Sequence, residues 1–253
     1  EADAHRILLD TGAGACLLSN AAHFGIDPWM ADALVLSHGH RDHTGGLPAL
    51  LERRADLPVH YHPEALFPRF SLRRGSPRPI GMPLAAAVAL GAEGHHGSPD
   101  RQLIAPHISC TGAITERGDQ APRDRALYRD ADGTVPDPLL DDQALIIDTT
   151  AGLIVLSGCC HAGIGPTLDR VRHLHGARPL FALIGGLHLE HCDGAERRRQ
   201  LERLDGYGLH QIIAGHCTGA AAETALGADR GRGFAALRCG HRWVLQGERL
   251  HRD

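Results

Sequence analysis

Residues 37–46 read Ser-His-Gly-His-Arg-Asp-His-Thr-Gly-Gly, and four of them, His38, His40, Asp42 and His43, can donate to a metal ion. Neutral imidazole is the commonest biological metal ligand, and a carboxylate adds charge that a dication needs. The segment follows an apolar run, Ala33 to Leu36, that reads as a buried strand. In a loop leaving that strand, His38 and His40 can point to one side while Asp42 and His43 turn toward a neighbouring point, so one segment can serve two cations. The bland alternative is a polar surface loop with chance histidines; four potential ligands in this order directly after a strand weigh against it. The set contains no four thiolates, which favours Zn²⁺, one ion or two, with Mn²⁺ or Fe²⁺ as substitutes because affinity order alone does not choose the metal. Such an ion would lower the pKa of a bound water to roughly 7 and supply hydroxide for hydrolysis.

Short apolar runs predict strands over residues 6–10, 33–37, 59–61, 144–148, 153–157, 180–184, 211–214 and 242–245. Helical patterns cover 47–55, 166–175, 195–204 and 220–226. In the second of these, Pro166 suits a first turn, Gly176 a C-terminal stop, and Leu168, Val171 and Leu174 share a packing face. The chain is therefore mixed α/β. Two polar stretches, near 67–83 and 116–138, read as loops or lids inserted into one domain spanning 1–253. The first carries Arg69, Arg73, Arg74 and Arg78.

The His-x-His-x-Asp-His segment resembles the signature of the metallo-β-lactamase superfamily, and Asp10-Thr11-Gly12 is similar to that family's early turn. Asp141-Asp142-Gln143-Ala144-Leu145, Gly158-Cys159-Cys160-His161, Gly185-Gly186-Leu187-His188-Leu189 and His216-Cys217-Thr218-Gly219 resemble one branch of it, which includes archaeal dihydropterin-ribofuranosyl-aminobenzene phosphate synthase. The resemblance implies a four-layer αββα sandwich with the metal site at one edge. It further implies that His38, His40 and His161 bind one metal, and Asp42, His43 and His216 a second. His188 becomes a ligand or substrate contact, and Asp42 both holds a cation and orients water. The expected activity is hydrolysis, or transfer with diphosphate loss, on a phosphorylated or pterin-like small molecule, with Arg73 or Arg74 as candidates for outer phosphate oxygens. A metal-dependent sensing module without turnover is the competing reading. The chain departs from the family pattern in having no Gly-Asp after a late strand, which predicts weaker binding of the second metal. It also departs in Gly112-Ala113-Ile114-Thr115-Glu116, where the branch has Gly-Glu-Ile-Pro-Arg. His107 is a candidate replacement ligand by proximity in the pattern only, and His95-His96 read as solvent-exposed.

Composition bounds the rest. A chain of 253 residues with 43% apolar content buries an ordinary core. Net charge of −4 argues against nucleic acid or anionic membrane as partner, since both reward clustered positive charge. Histidine is the outlier, at 19 residues. The longest apolar run, Leu84 to Leu90, is far short of the roughly 20 residues of a spanning helix. The first five residues lack the basic start and apolar stretch of a signal peptide, and seven cysteines, an odd count with Cys159 and Cys160 adjacent, suggest a reducing cytoplasm. If the 153–157 strand continues extended into its loop, Cys159 and His161 face the metals and Cys160 faces away. Both thiols should then be free. Cys159 becomes a ligand candidate for the second metal, the alternative being a small packing residue.

Overall fold

The computed structural model describes residues 5–91, 94–117 and 126–253. Residues 1–4 of the leader reading and 118–125 of the second insertion lie outside that range. Alternation along the apolar strands decides the architecture. Leu34 and Leu36 pack toward the helices Leu47–Arg53 and Leu84–Leu90, while Val35 between them faces Ile108 and Leu145 of another sheet. Likewise Leu153 and Val155 meet helix Ile164–His175, whereas Leu156 turns inward. Strands buried on both faces carry no polar side, which is why they read as unbroken apolar runs. The result is helices, sheet, sheet, helices, the four-layer sandwich that the motifs implied.

Among the described residues the first sheet is all parallel, in the order Ile7–Leu9, Ala33–Val35, Val59–Tyr61, His96–Gly97. The second runs Phe234–Ala236, Gln211–Gly215, Leu180–Gly186, Gly152–Ser157, Ala144–Thr149, Ile108–Cys110, Gln102–Ala105. Its first four strands are parallel and the remainder antiparallel. Parallel strands bring the loops after their carboxyl ends to one edge, where ligands bind in open α/β sheets. Asp10, His38, His161, His188 and His216 all lie just beyond such ends.

The two polar insertions are not independent loops. Phe70–Ser71, in the first, pairs with Arg78–Pro79 and with Leu127–Tyr128 from the second, making a small three-stranded sheet. Arg69, grouped with loop arginines by composition, is 1% exposed and ion-paired to Asp137 and Asp141 at 2.7 Å each. Arg73 and Arg74 do sit exposed, in the turn between the paired strands. Helix Leu84–Leu90 was not foreseen, because a run of Leu, Ala and Val carries no polar face to betray its period. The hairpin of Gln102–Ala105 and Ile108–Cys110 was missed for its short strands. Helix Ile164–His175 places Pro166 third, where a missing N–H still costs nothing, and it stops at Gly176. No described helix is long and apolar enough to cross a membrane.

Candidate metal centre

The Ser37–Gly46 segment leaves the Ala33–Val35 strand, crosses the sheet edge and closes into a short helix, Arg41–Thr44. Three consecutive residues brace it from below. Asp141 Oδ2 accepts the Gly39 N–H at 2.7 Å, and Gln143 binds Leu36 O through its side chain and Ser37 O through its backbone, both at 2.9 Å. Asp142, between them, accepts the Ala162 N–H at 2.7 Å and so holds the turn that carries His161. The loops that carry His38, His40 and His161 are thus fixed by one tripeptide.

Asp10 sets the protons. Its Oδ1 accepts the Ser37 N–H, and its Oδ2 accepts the Ser37 hydroxyl, both at 2.7 Å. With that hydroxyl proton committed, the 2.9 Å contact from Ser37 Oγ to His38 Nδ1 must be donated by the ring, leaving the His38 Nε2 lone pair aimed at His40 Nδ1, 3.0 Å away. Asp10 Oδ2 also stands 2.6 Å from His43 Nδ1. The close approach needs Gly158 opposite, where a Cβ would fall 2.0 Å from Ser37 Oγ. A buried acceptor that fixes the tautomers of metal-ligating histidines is the usual outer support of such sites. The sequence showed Asp10 as part of a motif but gave no hint of this role.

His161 packs against both rings of the first motif, with centroids 4.7 Å from His38 and 4.8 Å from His40. Neither His161 nitrogen, nor His40 Nε2, has a hydrogen-bond partner, though all are buried. Leaving such a group unpaired costs about 1–3 kcal/mol, which coordination would offset. Burial first, then the neighbouring imidazoles, push His38 and His161 well below the ordinary histidine pKa. Burial and Arg69 bring His40 to about 3. All three rings are therefore neutral, as ligands must be.

A second group is more nearly closed. His43 Nε2 and His216 Nε2 are 3.1 Å apart, and Cys159 Sγ is 3.2 Å from each. Asp42 Oδ2 is 3.5 Å from His43 Nε2 and 3.4 Å from His216 Nε2. Four donors around a zinc at its usual bond lengths of 2.0–2.3 Å would lie about 3.3–3.7 Å apart. Five of the six distances among these donors are thus close to those that zinc requires. Burial would lower His43, but Asp10 and Asp42 outweigh it and raise the ring to about 9. The Asp42 carboxyl, which burial would raise, is held far below the usual range by His216 and His43.

Cys159 and His161 do face the site while Cys160 turns to Thr167 Oγ1 at 3.4 Å, and both thiols are free. The reason differs from simple strand alternation. The strand ends at Ser157, and Cys160 takes a left-handed backbone, φ 63°, that reverses the chain. Asp10, His188 and His216 share this uncommon conformation, at φ 62°, 51° and 53°. Non-glycine residues held there cost of order 1 kcal/mol or more, and such strain collects at functional sites. The His188 ring lies 4.2 Å from His161. His107, by contrast, is exposed and lines a separate hollow with Arg101, Ser109 and His175. His96 joins the first sheet as its edge strand and stacks on His60. Cys217, which the sequence showed only as a member of the His216–Gly219 motif, lies beside Cys159 and His188.

Replacing Cys159 by Ser should lower zinc affinity at the Asp42–His43–His216 group by about tenfold or more, whereas Cys160→Ser should keep full metal content. Zinc titration of the two metal-free variants checks this. Equal affinities would reduce Cys159 to packing.

The chain belongs to the metallo-beta-lactamase superfamily, whose model matches residues 1–171. Among characterised relatives it is 31% identical, over 246 residues, to 7,8-dihydropterin-6-methyl-4-(beta-D-ribofuranosyl)-aminobenzene-5'-phosphate synthase of Methanocaldococcus jannaschii, spanning 93% of this chain and 83% of that one. Ribonuclease J of Corynebacterium glutamicum is 29% identical over 127 residues, half of this chain but 13% of that enzyme. The crystal structure of a metal-dependent hydrolase of the beta-lactamase superfamily superposes with a TM-score of 0.78 at 25% identity, covering 92% of this chain and 86% of the other. Zn²⁺-bound PqqB from Methylobacterium extorquens shares the fold at TM-score 0.51 and 14% identity, over 94% and 83% of the two chains.

Proposed function

We propose that the protein is a metal-dependent enzyme acting on a phosphorylated or pterin-like small molecule, by hydrolysis or by transfer with loss of diphosphate. The observation that carries this reading is the pair of adjoining donor groups. One is a trio of neutral imidazoles, His38, His40 and His161, that would leave a bound ion with an open position; the other is the close group of Asp42, His43, His216 and Cys159. Three imidazoles and one open position are the donor set of catalytic zinc. A cation there would supply Lewis acidity and bring a coordinated water to a pKa of about 7. The chain's own residues do the rest. Asp10 orients His43 directly and His38 through Ser37, and the half-exposed Asp42 carboxylate borders the solvent side, where a substrate enters.

The substrate class rests on the Methanocaldococcus jannaschii relative, whose name describes a phosphorylated dihydropterin product. The missing Gly-Asp counted toward a module that binds without turnover. In the structure the Cys159 sulfur stands between the two imidazole groups, within 4.8 Å of donors of both, so a sulfur ligand is at hand where this chain lacks the family's Gly-Asp carboxylate. Metal analysis combined with a screen of phosphoesters, lactones and pterin diphosphates tests the proposal. Turnover that requires metal and is lost in Asp42→Asn at unchanged fold is the expected result. Stoichiometric metal with no turnover across the screen would favour the sensing module.

A further inference from the structure

Cys217 has no part in either donor group, yet the topology delivers it to the same edge. Three neighbouring parallel strands, Gly152–Ser157, Leu180–Gly186 and Gln211–Gly215, are in register, with Ser157 opposite Gly185 and Gly186 opposite Gly215. Two residues beyond each strand end comes a soft or borderline donor: Cys159, His188 and Cys217. The two sulfurs and a ring nitrogen of His188 lie within 4.8 Å of one another. The Cys217 thiol reaches back to Cys159 O at 3.5 Å. Gly186 makes that possible, because a Cβ there would stand 2.7 Å from Cys217 Sγ and 3.2 Å from Cys159 Cα. A side chain at 186 would collide first with Gly158 O, 2.4 Å from its Cβ, and then with the Cys217 sulfur.

Building on the metal-centre reading above, we propose that Cys159, His188 and Cys217 form a seat for a thiophilic cation, alternative to the Asp42–His43–His216 seat and competing with it for the single Cys159 sulfur. The chemistry of the donors separates the two. Two thiolates and an imidazole select soft or borderline ions such as Cd²⁺, Cu⁺ or Zn²⁺, and two thiolates neutralise a dication taken out of water. A carboxylate and two imidazoles suit Mn²⁺ or Fe²⁺ without help from sulfur. The thiol protons leave to solvent as the cation binds. The identity of the metal thereby decides on which side of Cys159 it sits. A soft ion in excess draws the sulfur away from the carboxylate seat.

Cadmium titration of the metal-free full-length protein, followed by sulfur-to-cadmium charge-transfer absorbance, reads the thiolates directly. Cys217→Ser should lose about half of that absorbance per bound ion and weaken Cd²⁺ about tenfold or more, since one of two thiolates is gone. Cys160→Ser should match the unmodified protein, and Mn²⁺ stoichiometry, measured by electron paramagnetic resonance, should be the same in all three. Undiminished absorbance in Cys217→Ser alongside normal Mn²⁺ binding would overturn the thiol seat and leave the imidazole centre standing. Cys217-dependent Cd²⁺ absorbance with no Mn²⁺ or Zn²⁺ held by the imidazoles would uphold the thiol seat and sink the reading of the metal centre.

Discussion

Stripping metal with a chelator should lower the unfolding temperature by roughly 10 °C, and adding zinc back should restore it. A ligand present at a thousandfold over its dissociation constant stabilises the folded state by about 4 kcal/mol, and a domain of this size moves about 2–4 °C per kcal/mol. The physical source is the crowding of donors. His38 Nε2 and His40 Nδ1 at 3.0 Å, and His43 Nε2 and His216 Nε2 at 3.1 Å, bring ring nitrogens together, and the two His161 nitrogens are buried with no partner at all. The increment should also depend on pH, with a sign that follows from His43. Although burial opposes it, Asp10 raises this ring to about 9 in the metal-free protein. The proton therefore stabilises the stripped form below the ordinary value of 6.5, and that contribution fades as pH rises through about 9. Zinc must displace the proton, so the gap between loaded and stripped protein should widen from pH 6 to pH 9. Differential scanning calorimetry at three pH values measures it. Identical melting curves with and without zinc would mean that the donor groups hold nothing.

Arg69→Ala should cost about 3–5 kcal/mol, a large share of the roughly 5–15 kcal/mol that holds a domain folded. The guanidinium is inaccessible to solvent and pairs with Asp137 and Asp141, whose side chains are equally inaccessible. Removing it strips Asp141, which also carries the Gly39 N–H, of the guanidinium that pairs with it, and leaves Asp137 to Arg129, 3.3 Å away. Burial would raise the Asp141 carboxyl, but Arg69 and the Gly39 N–H keep it below the usual 3.8. A depressed carboxylate contributes stability that is complete above the unfolded value and vanishes as pH falls through the folded one. The deficit of the variant should therefore be full at neutral pH and shrink below pH 4. Urea unfolding at pH 7 and pH 3 reads both parts. A loss under about 1 kcal/mol at pH 7 would make Arg69 an ordinary packing residue.

How much of this was legible in the sequence differs from element to element. The strand at Val59–Tyr61 matches its apolar run residue for residue, and those at Ala144–Thr149, Gly152–Ser157 and Gln211–Gly215 match within a residue or so, because strands buried on both faces leave a compact signal. His38, His40, Asp42 and His43 could be recognised as a donor set since they are neighbours in the chain. His161 and His216 could not be joined to them by spacing, and only family resemblance proposed it. The structure places His161 against His38 and His40, and His216 against His43 and Asp42. Arg69 was misread because composition sees a charge in a polar stretch and cannot see two aspartates some 70 residues further along the chain folding over it. His107, a candidate only by nearness to a motif in sequence, lies in the turn of a hairpin and lines a separate hollow.

The sequence by itself determined which chemistries were available: a run of potential metal donors after a strand, an α/β alternation and a surplus of imidazoles. Local order suffices there, since periodicity and ligand spacing are properties of neighbours. Only the tertiary structure decided that the sulfur of Cys159 stands between the donor groups, that Asp10 directs the protons of His43 and, through Ser37, of His38, and that Cys217 joins His188 from an adjacent strand. Those relations depend on parallel strands whose carboxyl ends meet in register at one edge, and register between strands distant in the chain is fixed by the packing of both sheet faces, not by any segment alone.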